Sequence, residues 1–426
     1  MIAKFTLEPI MKIFYIAPKY LGLEAELVLS TNDAGRRIFN GEEVIVVTAS
    51  HQKSMLVHEE AGVYLVGDGD IGLYQAFLSL AVIYFVVMMV SVFCIRVPAK
   101  GWAPDGYVPP KVEEEKREMK HSTNSESIFE KIVSNLNITP TQANVEVNRA
   151  FYIPQFYQLW LILCLNTTAG IAVISVAKTM MDEIFASSFP ELVSYEFTSM
   201  YVLMISVFNL CGRFAWASAS DYLGRKLTFT IFFVTETLLY ISIPFTAQSI
   251  SSDPSTVWLY TFYGATMVIF TMYGGGFSII PAYLADVFGT DFVGAIHGRL
   301  LTAWSTAGVL GPQVLSFLRN SEVEKAINGL VESVNATMFE NKFGMGVDKL
   351  ETLIKSKTVS INALLEILPE DTVDPTPGLY NSTMYFMAGL LFVALILNLC
   401  MKPVDEKYHI KKEPEPENEM KILIES

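Results

Sequence analysis

Cysteine and histidine are scarce in this chain of 426 residues, which holds four of the first and five of the second. Cys94, Cys164, Cys211 and Cys400 have neither the pairing density of a disulfide framework nor the spacing of a zinc site. Lying in or beside apolar stretches, they read as small core residues. The histidines are scattered, and no nucleophile stands at a useful spacing from a base. Neither an enzyme, a metal centre nor a cofactor is therefore expected. Charge is also thin: 17% of residues are charged, against about a quarter in a soluble domain. Positive charge is the scarcer sign, with 30 Lys and Arg against 44 Asp and Glu and a net charge of −14. Phosphate backbones are bound by clustered Lys and Arg, so nucleic acid is excluded as a partner.

What is abundant is apolar sequence, 51% of the chain, gathered in long blocks with the charges between them. That distribution excludes a soluble enzyme and a disordered chain. A hydrocarbon core about 30 Å thick is crossed by roughly 20 apolar residues in a helix. Seven stretches qualify as expected spans: Ile71 to Cys94, Phe156 to Ala177, Phe197 to Ser220, Leu227 to Gln248, Val257 to Leu284, Leu300 to Leu318 and Gly378 to Met401. The third carries Arg213 and the fourth Glu236. The fold class expected is an all-α integral membrane protein, in which residues 156–402 form a six-helix bundle and residues 71–95 a single preceding transmembrane helix. The lipid bilayer is its first partner, in a plasma or organelle membrane.

Lys and Arg favour cytoplasmic loops. They crowd the stretch 96–155, with Arg96, Lys100, Lys111, Lys116, Arg117, Lys120, Lys131 and Arg149, and the short loop with Arg225 and Lys226. The loop after the second span is acidic instead, with Asp182, Glu183, Glu191 and Glu196. The segment 1–70 and the long loop 319–377 then lie outside and the tail 403–426 inside. Residues 1–70 hold no span and no secretory signal, and the expectation is that further helices precede them. Residues 96–155, with Pro98, Pro104, Pro109 and Pro110, read as a cytoplasmic linker carrying a surface helix near Ser127 to Leu136. The loop 319–377 places Val331, Val334, Met338, Leu350 and Ile354 at helical spacing, which predicts short amphipathic helices. It also holds a glycosylation sequon at Asn335-Ala336-Thr337. The tail, with its Pro-Glu alternation, reads as disordered.

The most specific motif is Ala217-Ser-Ala-Ser-Asp221-Tyr-Leu-Gly224-Arg225-Lys226. Gly224 suits a tight turn between two helices, Asp221 offers a carboxylate to helix N-termini, and the basic pair sits at the anionic leaflet. The plainer alternative is an ordinary positive-inside turn. With this loop the chain resembles the major facilitator superfamily, whose pattern is G-x-x-x-D-x-x-G-R-K; here Ala217 replaces the leading glycine. Four more segments narrow the resemblance to its oxalate/formate antiporter family: Asn148-Arg-Ala-Phe-Tyr-Ile-Pro-Gln-Phe-Tyr-Gln-Leu-Trp160, Leu165-Asn-Thr-Thr-Ala-Gly-Ile171, Gly274-Gly-Gly-Phe-Ser-Ile-Ile-Pro-Ala-Tyr-Leu-Ala-Asp-Val-Phe-Gly289 and His297-Gly-Arg-Leu-Leu-Thr-Ala-Trp-Ser-Thr-Ala-Gly-Val-Leu-Gly-Pro312. The resemblance spans Val63 to Val404. It implies twelve helices in two bundles, of which the spans here are the sixth to the twelfth. The five missing helices are then further partners of this chain.

Arg213 is the principal candidate for binding substrate. An arginine within a span costs roughly 2.5–3.5 kcal/mol on insertion scales and usually faces a cavity, and its fork can hold a carboxylate bidentately. Asn209 lies one turn away on the same face. The competing reading is that Arg213, roughly 10 Å from the cytoplasmic end at helical rise, snorkels to water. The resemblance implies that an Arg in the eighth helix binds carboxylate. It also marks two departures: Trp304 stands where oxalate carriers have a second cation, and Asn209 where proton-coupled monocarboxylate carriers have an Asp. One cation suits a monocarboxylate, and a neutral amide suits exchange or uniport. Asn166, Thr167, Thr302 and Ser305 are candidate cavity-lining residues, or equally helix–helix hydrogen bonds. Glu236 reads as a structural partner, a lipid-facing acid or a mate for Arg213. Asp286 is expected to pair with Arg225, and His297 and Arg299 to lie at the cytoplasmic interface.

Three functions are compatible with this reading. The first is a secondary transporter of small organic anions, monocarboxylates or oxalate and formate, working by alternating access with Arg213, Asn209, Asn166, Thr302 and Trp304 at the substrate and Asp221, Gly224, Arg225, Lys226 and Asp286 as a conformational-switch loop. The second is a seven-span receptor-like protein, although no receptor switch motif stands at the helix ends. The third is a truncated carrier without activity.

Overall fold

The computed structural model describes residues 2–47, 60–94, 136–141, 143–369 and 372–410. The expected surface helix near residue 127, most of the linker and the end of the tail lie outside the described residues. Twelve α-helices are described: α1 (Ile2–Ile13), α2 (Leu73–Cys94), α3 (Pro154–Phe185), α4 (Tyr195–Leu223), α5 (Arg225–Ser252), α6 (Thr256–Phe288), α7 (Val293–Leu300), α8 (Thr302–Val331), α9 (Ala336–Phe343), α10 (Leu350–Lys355), α11 (Ile361–Leu365) and α12 (Asn381–Leu399). Their starts follow local chemistry. Pro154 opens α3, where its missing N–H is no loss, and the Ser194 hydroxyl accepts the Phe197 N–H at 3.2 Å to cap α4.

Six of the described helices are long and apolar enough to cross a membrane: Leu73–Cys94, Pro154–Phe185, Tyr195–Leu223, Arg225–Ile250, Thr256–Phe288 and Thr376–Leu399. The protein is thus a largely helical, multi-pass membrane protein by length and composition. The sequence reading expected a seventh span at Leu300 to Leu318. That stretch instead straddles a break between α7 and α8 at Leu301, and Thr302, Ser305, Thr306, Pro312 and Gln313 dilute its apolar character. It nevertheless packs in the bundle, α8 against α3. The other main pairings are α4 with α6, α12 with α5 and α3, and α5 with α6. An aromatic core of Phe229, Phe232, Phe233, Phe262, Phe270 and Tyr283 is buried among them.

The segment before the first span departs from the all-α expectation. It forms a five-stranded antiparallel sheet in the order β1-β5-β4-β3-β2, with β1 at Tyr20–Gly22, β2 at Ser30–Thr31, β3 at Arg37–Phe39, β4 at Glu42–Val47 and β5 at Gly62–Leu65. Val44, Val47, Val63 and Tyr64 are its buried side chains. This sheet docks on the loop between α8 and α12. Thr31 Oγ1 donates to Phe343 O at 2.8 Å, Ser356 Oγ donates to Gly35 O at 3.0 Å, and Arg37 donates to Lys342 O. The described parts of segments 1–70 and 319–377 therefore lie on one side of the bundle.

The opposite side gathers the end of the linker, the turns before α5 and α7, and the start of the tail. Val145 and His409 form a bridge, and Val404 is buried. Residues 403–410 are thus folded against the bundle, a correction to the disordered tail, because their backbone finds partners there. The helix α2 is the least buried of the six long apolar helices. It packs against α1 and buries only Ala76 and Leu80. The cysteines also depart from expectation, since Cys164 is buried while Cys94, Cys211 and Cys400 are exposed.

Candidate functional site

Two helices approach closely around Arg213. A Cβ added to Gly212 of α4 would lie 2.1 Å from Thr271 O, and one added to Gly274 of α6 would lie 2.1 Å from Asn209 O. Glycines on both sides bring the backbones of α4 and α6 together. Polar groups bridge the same crossing: Ser278 Oγ donates to Arg213 O at 3.0 Å, and Trp216 Nε1 donates to Thr271 Oγ1 at 3.2 Å.

The Arg213 guanidinium lies 4.8 Å from the Phe277 ring centroid, in cation–π range. Phe277 in turn meets Trp304 of α8 edge-on at 4.6 Å, and Trp304 lies 6.0 Å from Tyr273. Arg213 Nε is shielded from solvent and has no hydrogen-bond partner among the described residues. Asn209 sits one turn outward against Gly274. Asn166 of α3, 4% exposed, reaches the neighbouring face of α6, where a Cβ on Gly276 would lie 3.0 Å from its Nδ2. Arg213, Asn209, Asn166 and Trp304 therefore all meet α6, Asn209 and Asn166 at its glycine-rich stretch and Arg213 and Trp304 at Phe277.

Thr302 is not part of this group. Its hydroxyl accepts from Trp160 Nε1 at 2.9 Å and donates to Arg299 O at 2.8 Å, so it is spent on joining α3 to the start of α8. Glu236 is 1% exposed, which overturns the lipid-facing alternative. Among the described residues no ion pair joins it to Arg213, and its Oε2 has no hydrogen-bond partner.

The loop motif builds a second, separate cluster at the C-terminal end of α4. Gly224 has φ +82°, and its N–H returns to Ser220 O. Arg225 donates to Asp221 Oδ1 at 2.6 Å and to Ser220 Oγ at 2.9 Å, with its Nε 4.0 Å from Asp286 Oδ2. Lys226 Nζ donates to Met401 O at 2.9 Å. The same geometry recurs after α6, where Asp286-Val-Phe-Gly289 matches Asp221-Tyr-Leu-Gly224 and Gly289 also has φ +82°.

Each of these turns is held by an asparagine of the linker. Asn137 donates to Leu223 O at 2.6 Å and accepts the Leu227 N–H at 3.0 Å. Asn144 donates to Asp291 Oδ2 at 2.6 Å and accepts the Asp291 N–H at 3.1 Å. Neither asparagine was expected from the sequence. On α7, His297 Nε2 is buried and has no partner among the described residues, and burial pushes its imidazole below the usual 6.5. Arg299 donates to Val147 O at 2.9 Å and lies 4.8 Å from the Phe151 ring.

A third polar group closes the other end of the bundle. Arg319 is paired with Glu183 and donates to Tyr380 Oη at 3.1 Å, while the Tyr380 hydroxyl donates to Glu183 Oε2 at 2.6 Å. It ties α3, α8 and the start of α12 together. Its partners are far apart in the chain, and no local pattern announces them. No family model matches the chain, and no curated protein matches it either.

Proposed function

We propose that the protein is a secondary transporter of small organic anions, of the major facilitator kind and akin to the oxalate/formate exchangers, with Arg213 as the carboxylate anchor. One observation carries the reading: a guanidinium held between helices, over Phe277, with a shielded Nε that lacks an acceptor. An incoming carboxylate would satisfy Nε and a neighbouring Nη together, in the bidentate geometry that arginine favours.

The wall beside that fork is aromatic, from Phe277 and Trp304, and one cation faces it. This suits a monocarboxylate with a small apolar body better than a compact dianion. Binding would also neutralise the arginine, and a neutral pair is cheaper to carry between two bundle arrangements than a lone buried charge. Asn209 and Asn166 offer neutral hydrogen bonds along α6, in keeping with exchange or uniport. The Asp221 and Asp286 turns would serve as the conformational-switch loops.

Uptake of labelled formate, lactate and oxalate into proteoliposomes tests this. Arg213→Ala is expected to lower uptake at least about thirtyfold, as for truncation of one buried charge partner, and Arg213→Lys to restore only a small part because it lacks the fork. Uptake by Arg213→Ala equal to that of the parent, or ligand-dependent signalling without flux, would overturn the reading.

A further inference from the structure

Between α3 and α4, away from the Arg213 crossing, lies a cleft of about 440 Å³ with largely apolar walls, into which Lys178, Ser199 and Glu8 bring polar groups. Lys178 Nζ stands 3.3 Å from the centroid of the Tyr195 ring, and Tyr195 Oη donates to Glu8 Oε1 at 3.1 Å. Ser206 lies seven residues from Arg213 on α4, roughly 10 Å at helical rise, and Lys178 twelve from Asn166 on α3, roughly 18 Å. A small anion cannot span that distance, so this cleft and the Arg213 crossing are separate positions along one pair of helices.

The chemistry of the cleft is that of a carboxylate receptor. It combines the Lys178 ammonium of α3, a neighbouring phenol that already donates to a carboxylate, and the hydroxyl of the buried Ser199. The carboxylate present comes from α1, which lies outside the bundle helices. We propose that this cleft is an outer carboxylate subsite, with Lys178 as its cation and Tyr195 and Ser199 as hydroxyl donors, and that Glu8 occupies it as an internal competitor. The identity of the solute as a small organic anion rests on the function proposed above; the site itself does not depend on Arg213.

Isothermal titration of the detergent-purified full chain with sodium formate and sodium oxalate tests this in an Arg213→Ala background, where the inner anchor is silent. Glu8→Gln is expected to tighten binding about tenfold, the loss of one charged competitor. Adding Lys178→Met should abolish the gain, and Lys178→Arg should keep most of it, which separates a lost cation from a misfolded chain. Binding unchanged by Glu8→Gln, binding retained by Lys178→Met, or no heat in any variant would overturn the subsite. An error in the transport reading would register elsewhere, as uptake indifferent to Arg213.

Discussion

His297 illustrates how a single residue reports on its surroundings. Its Nε2 is shielded and, among the described residues, has no partner, so burial disfavours protonation and its folded value lies below the ordinary 6.5. A depressed value means that the unfolded chain takes up the proton first as pH falls. The associated stability is complete above about pH 6.5 and is lost progressively as the pH drops through the lower, folded value. Thermal unfolding in detergent between pH 7.5 and 5 should therefore show a falling midpoint. The fall should be shallower in His297→Leu, and an equal slope in both proteins would assign the effect to other groups. Arg213 was legible at this scale because an arginine in an apolar block stands out against its neighbours. Glu236 was visible for the same reason, but its side of the helix was not. Burial depends on which neighbours α5 meets, and those lie far away in sequence.

At the scale of elements, the crossing of α4 and α6 depends on missing side chains. Gly212 faces the Thr271 carbonyl and Gly274 the Asn209 carbonyl, and both obstacles are backbone. Gly212→Ala must push the helices apart and is expected to cost about 1–3 kcal/mol, as in other overpacked interiors. Gly264, on the same α6, has nothing within 4 Å of an added Cβ, so Gly264→Ala should be neutral or gain up to about 1 kcal/mol from helix propensity. Denaturation in mixed micelles would compare them; equal losses would mean that the approach is not tight. The long helices were readable because a chain inside lipid must satisfy its own backbone, which forces apolar blocks into helices. The sheet was overlooked because its strands run only two to six residues. Its one strong local signal is the Asn40-Gly41 turn, where both residues have positive φ. The linker asparagines could not be read at all, since Asn137 meets Leu223 across 86 positions and Asn144 meets Asp291 across 147.

For the molecule as a whole, the hydrogen bonds sort the extramembrane segments into two sets. The sheet and the loop 319–377 share one side, and the linker end, the Asp221 turn and the tail share the other. On the positive-inside bias, the second set is predicted to face the cytoplasm. Single cysteines in place of the exposed Val28 and Met338 should react with a membrane-impermeant thiol reagent added outside, in a background cleared of native cysteines. One in place of the exposed Tyr222 should react only after permeabilisation. Labelling of Val28→Cys and Met338→Cys from opposite sides would break the assignment.

The two matched turns at the linker end of the bundle carry one last implication. Because a single short strand of linker grips both of them, through residues only seven apart, four helices are yoked at their feet like the ribs of a folded fan. Whatever motion the bundle makes must then be a tilt of the whole fan about that rivet, and loosening the rivet should free the ribs to splay independently.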